Sequence, residues 1–113
     1  MTFGAQAQTD LVDKVFESLR TMDTETLSEF LQDDVILEVF DEEDMLTKTE
    51  AIEKVKSFLA EQNAKGVSLK HRGDSGNGTS FAIGSLETDA ANLRIYFVVE
   101  DGKVSELCFH ENE

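Results

Sequence analysis

Apolar residues recur at helical spacing through the first half of the chain and alternate with polar ones through most of the second. Over residues 9–22, Leu11, Val12, Val15, Phe16 and Leu19 share one face with acids and Lys14 opposite, which predicts an amphipathic first helix. Asp23 or Thr24 caps a short second helix whose Leu27, Phe30 and Leu31 share a face, ending near Gln32 where Asp33 and Asp34 break the pattern. Val35, Leu37 and Val39 then alternate with Ile36, Glu38 and Phe40 in a strand that is apolar on both faces. Asp41, Glu42, Glu43 and Asp44 read as the following turn, with a short return strand after it. Thr47 and Glu50 have the spacing of a capping box, in which each side chain satisfies a free backbone donor at a helix start. Ala51, Ile52, Val55, Phe58 and Leu59 form the stripe of that third helix, and Gly66 is its stop.

The last 47 residues, 67–113, carry four more alternations separated by Gly, Asp and Asn clusters. Val67, Leu69 and His71 share one face of the first by parity, with Ser68, Lys70 and Arg72 on the other. Phe81 and Ile83 oppose Ala82, Gly84 and Leu86 in the second. Leu93, Ile95, Phe97 and Val99 line the third, backed by Arg94, Tyr96 and Val98, and Asp101-Gly102 is a tight hairpin signal before a return bearing Leu107 and Phe109. Two helices, a strand or hairpin, a helix and a four-strand meander predict an α+β domain: a curved, mostly antiparallel sheet packed on N-terminal helices.

At 113 residues the chain is a single domain, expected to run from residue 9 to residue 113 behind a flexible tail of residues 1–8. That tail holds Ala5-Gln6-Ala7, a pattern like the small-residue end of a secretory signal but with no apolar segment before it. It reads as the remnant of a signal peptide; a native intracellular product with an intact Met1 would remove that reading. Twenty-four acidic against ten basic residues give a formal charge of −14, which repels phosphate backbones and excludes nucleic acid as the expected partner. No apolar run approaches the ~20 residues of a membrane-spanning helix, so no membrane insertion is expected. Cys108, the single cysteine, cannot form an internal disulfide and reads as a buried or interfacial thiol.

The element order resembles the nuclear transport factor 2-like superfamily, a cystatin-like cone shared by ketosteroid isomerases, dehydratases, binding domains and transport factors. Within it, His71, Arg72 and Gly73, then Phe81, Ile83, Gly84, Leu86 and Thr88, then Leu93 and Arg94, then Glu106, Leu107 and Phe109 resemble the bacterial family of the domain of unknown function 4783. The chain departs from that family at Cys108, where a basic residue is usual, and at Ala90 and Ala91, where a Gly-containing turn is usual. The resemblance implies a small exported protein, periplasmic or secreted in a bacterium, and a homodimer.

An enzyme on this fold needs an acid or base projecting into the cone. By parity His71 is the best inward polar residue, a candidate base or ligand-gripping group, while Glu38 and Asp41 lack a clear partner. Arg94 and Tyr96 share the other face of their strand, with Glu106, Cys108 and His110 in register beside them if the hairpin closes at Asp101 and Gly102, a mixed polar and apolar face suited to protein contact. The acids at 41–44 lack the alternation of a Ca²⁺ loop, and one Cys with two His residues makes no familiar zinc spacing, so no metal and no cofactor are expected. Arg72-Gly73-Asp74, an adhesion-type tripeptide, recurs by chance, and the sequon Asn77-Gly78-Thr79 matters only in a eukaryotic secretory pathway. Three functions remain in view: a non-enzymatic module binding a small apolar ligand or another protein, a cofactor-free lyase or isomerase of ketosteroid-isomerase type using His71, and a structural homodimer with a filled core.

Overall fold

The computed structural model describes residues 4–76 and 78–111. Three helices, α1 (Gly4–Thr21), α2 (Thr24–Glu29) and α3 (Lys48–Glu61), accompany six strands: β1 (Leu31–Val39), β2 (Glu42–Thr47), β3 (Gly66–Gly76), β4 (Thr79–Glu87), β5 (Asn92–Glu100) and β6 (Lys103–Glu111). They form one sheet in the order β2-β1-β6-β5-β4-β3, antiparallel throughout except where β1 runs parallel to β6. The α+β prediction holds.

Local signals account for the element starts. Asp23 accepts a hydrogen bond from the Thr26 amide at 3.2 Å and caps α2. Thr47 and Glu50 close the capping box of α3, the Thr47 amide donating to Glu50 Oε1 at 3.0 Å and the Glu50 amide to Thr47 Oγ1 at 3.3 Å. Asp101 and Gly102 adopt φ of 54° and 80°, the left-handed pair that matches a two-residue turn to the twist of its flanking strands.

Four expectations are corrected. Helix α1 begins at Gly4, so residues 4–8 are helical where a tail was expected, and residues 1–3 lie outside the described residues. Helix α2 stops at Glu29 with Phe30 as its cap; Leu31 opens β1 because it pairs with Val104, whose amide donates to the Phe30 carbonyl at 2.7 Å. The acidic turn is shorter than expected. Only Phe40 and Asp41 turn, while Glu42, Glu43 and Asp44 pair with Val39, Glu38 and Leu37 as part of β2. Phe40 pays for that tightness with a φ of 58°, rare for a bulky side chain, held by its amide bond to the Phe109 carbonyl at 2.8 Å.

The fourth correction turns a side chain over. Leu69 pairs with Gly84 and His71 with Ile83, which leaves Lys70 as an extra residue in a bulge. Parity reverses there, placing His71 on the face of Phe81 and Ile83 and Arg72 on the helix side, where its guanidinium reaches Asp13 of α1 at 3.2 Å. His71 is solvent-exposed.

Between the helices and the sheet, α1 contributes Leu11, Val12, Val15, Phe16 and Leu19, and α3 contributes Val55, Phe58 and Leu59. These meet Leu37 of β1, Ala82 and Leu86 of β4, Ile95 and Phe97 of β5, and Leu107 and Phe109 of β6. Gly84 is a backbone landing for α1: a Cβ there would stand 2.3 Å from the Phe16 ring and 2.6 Å from the Ser68 carbonyl oxygen. Phe16 and Phe97 rings then pack at 5.4 Å, and Phe58 and Phe109 at 4.9 Å.

Candidate functional site

Side chains on the sheet face away from the helices fall into ordered rows. Pairing sets Glu43, Glu38, Cys108, Tyr96, Ile83 and His71 side by side across all six strands. A neighbouring row runs Met45, Ile36, Glu106, Val98, Phe81 and Gly73, and on the other side His110 pairs with Arg94. Arg94, Tyr96, Glu106, Cys108 and His110 therefore share this outer face.

Their alignment depends on a second bulge. A regular ladder from the Asp101-Gly102 hairpin would set Val98 opposite Ser105; instead the register shifts between Val98 and Val99, and Val98 meets Glu106. Ser105 is the extra residue, and only beyond it do Tyr96 and Cys108 face one another.

The outer face is apolar in its middle. Ile36, Val98, Tyr96, Phe81 and Ile83 are half-buried, and Met45 on the edge strand is 64% exposed. Phe81 lies over Gly73, whose missing Cβ would stand 2.6 Å from the ring. Its ring centroid is 5.9 Å from that of His71 and 6.3 Å from that of Tyr96.

Beside this strip is a polar cluster. His110 Nε2 stands 3.2 Å from Glu38 Oε2, and Cys108 Sγ donates to Glu106 Oε2 at 3.5 Å. One donor atom from each of Glu38, Cys108 and His110 lies within 4.8 Å of the others, and the same is true of Glu38, Glu43 and Glu106. Cys108 is only 2% exposed; burial, followed by the negative charge of Glu106, pushes its thiol well above the ordinary range. The sequence spacing missed this grouping because its organising residue, Glu38, arrives through the parallel pairing of β1 with β6. The acids at 41–44 do not gather as one site: Asp41 lies in the turn, and Glu42, Glu43 and Asp44 alternate across β2.

A separate open cleft of about 400 Å³ lies between α3 and the β1–β2 turn, with Val39, Phe40 and Phe58 among Asp41, Glu42, Lys54, Glu61 and Gln62. Asn77 of the sequon lies outside the described residues.

The profile of the family described as Domain of unknown function (DUF4783) matches residues 12–107. The chain belongs to that family. A DUF4783 family protein from Bacteroides ovatus superposes with a TM-score of 0.81 at 19% identity, over 88% of this chain and 94% of that one. An NTF2-like protein of unknown function from Burkholderia xenovorans gives 0.73 at 10% identity, over 99% and 89% of the two chains. A putative ketosteroid isomerase from Kribbella flavida gives 0.71 at 18%, over 96% and 79%. At these identities the likeness establishes the fold, which is NTF2-like, and not a chemistry. No curated protein matches the DUF4783 chain in sequence. Among its described residues, no helix is long and apolar enough to cross a membrane.

Proposed function

We propose that this DUF4783 domain is a non-enzymatic interaction module that assembles as a homodimer through the outer face of its sheet. One observation carries the reading: the helix-covered face is packed with Phe, Leu, Ile and Val, while the opposite face presents Met45, Ile36, Val98, Phe81, Ile83 and Tyr96 with no covering layer among the described residues. An apolar strip interrupted by Glu106 and bordered by the polar Arg94 and His110 has the make-up of a contact surface. A two-fold assembly needs only one such patch, used twice. Arg94, Tyr96, Glu106, Cys108 and His110 are its proposed contact residues.

An isomerase of the kind named for the Kribbella flavida neighbour would need a base facing the cone, and His71 stands on the far side of the sheet. The cleft beside α3 favours a second reading, capture of a small apolar molecule. Its volume, about 400 Å³, falls within the range of ligand pockets, and Phe40 and Phe58 meet edge to face within it at 5.7 Å.

Native mass spectrometry tests both. A dimer is expected for the parent chain, and Tyr96→Asp, which places a charge in the strip, should weaken self-association at least about tenfold, the equivalent of ~1.4 kcal/mol. Parent-like assembly by that variant would remove the sheet-face reading. A retained small molecule that is lost in Phe58→Ala would support the cleft.

A further inference from the structure

We infer that Glu38, Cys108 and His110 form a three-ligand zinc site on the outer face of the sheet, the fourth position being left to water. All three residues belong to one chain. Three elements of geometry carry it. Glu38 and Cys108 are direct partners in the β1–β6 ladder, and His110 follows Cys108 by two residues, so all three side chains rise from the same face of adjacent strands. Their donor atoms converge within 4.8 Å. The separation of the nitrogen and oxygen donors also fits: Zn–N and Zn–O bonds of roughly 2.1 Å at a tetrahedral angle leave them about 3.4 Å apart. His110 Nε2 and Glu38 Oε2 are 3.2 Å apart.

Charge and donor type point the same way. Glu38 also crowds within 4.8 Å of Glu43 and Glu106 on a chain already carrying −14, and a divalent cation held at Glu38 offsets part of that repulsion. A thiol, an imidazole and a carboxylate together suit borderline-soft Zn²⁺ and disfavour Mg²⁺ or Ca²⁺, which take oxygen ligands. On binding, the Cys108 S–H bond breaks and an Sγ–Zn bond forms; the proton passes to solvent, and His110 binds as the neutral imidazole. No electron is transferred.

Cobalt(II) is the probe, since a cobalt–thiolate bond produces a near-ultraviolet charge-transfer absorption that carboxylate or imidazole coordination does not. Titration of the reduced, chelator-treated protein with Co²⁺ should give that band at one equivalent per chain, displaced by Zn²⁺, with a rise in thermal midpoint. Cys108→Ser should abolish the band. Glu38→Gln and His110→Ala, both at partly exposed positions, should weaken Co²⁺ binding more than about tenfold while circular dichroism stays that of the parent. No band at stoichiometric Co²⁺ would overturn the site, and so would a band unchanged in both Glu38→Gln and His110→Ala. The mass of each variant is read in parallel, so loss of metal and loss of dimer are separate results.

Discussion

At the scale of single residues, Gly84 and Cys108 show how little of a side chain's circumstance its own identity reveals. Gly84 lies within a regular stretch of strand and needs no unusual backbone angle; it is glycine because the Phe16 ring occupies the space of a Cβ. Gly84→Ala should therefore destabilise the domain by about 2 kcal/mol through overpacking, measured by chemical denaturation. Its neighbour in the ladder, Ile95, gives no hint of this in the sequence. Cys108 alternates with Leu107 and Phe109 and so belongs to the outer face, yet it is buried there beneath the polar cluster. In the metal-free protein its thiol stays protonated where an unfolded thiol would ionise. The folded pKa lies above the unfolded one, so stability is fully present below the ordinary thiol value of ~8.5 and declines as pH rises past it. Alkylation near neutral pH should be much slower than for a small free thiol, and alkaline loss of stability should be smaller in Cys108→Ala.

Elements were legible where local signals decide them. The capping box at Thr47 and Glu50, the Asp101-Gly102 hairpin and the stripes of α1 and α3 all lie where the residue pattern puts them. The misreadings sit where a distant strand intervenes. Leu31 fits a helical stripe as well as a strand, and β6 chooses the strand. Lys70 has no mark of a bulge in its neighbours, but if it paired regularly with Ile83, Arg72 would fall opposite Phe81 instead of sharing a face with Ala82 and turning toward Asp13. Because the bulge holds one residue more than the ladder needs, deletion of Lys70 should leave the Leu69–Gly84 and His71–Ile83 pairs intact and preserve a cooperative thermal transition. Deletion of Ser85 from regular β4 should abolish that transition, since it shifts the register on one side of the deletion and puts Leu86, fully buried in the parent, out of phase.

Across the whole molecule, the −14 charge opposes compaction while the core between helices and sheet favours it. Screening should ease that opposition: the thermal midpoint is expected to rise between roughly 0.01 M and 0.5 M sodium chloride, over which the Debye length falls from about 30 Å to less than 10 Å. A flat or falling midpoint would mean that the acids are already locally compensated. Sequence by itself determined the kind and order of the helical and extended segments, the caps at Asp23 and Thr47, the Asp101-Gly102 turn, and the family, because these rest on periodicity and on residues near one another in the chain. It also placed Arg94, Tyr96, Glu106, Cys108 and His110 on one face, although that alignment depends on a bulge at Ser105 that no local pattern announces. Only the tertiary structure decided that β1 runs parallel beside β6, that His71 faces away from the helices, and that Glu38 joins Cys108 and His110. Strand order and bulges are set by how remote segments share hydrogen bonds and bury a common face, and that competition is settled by the packed molecule as a whole.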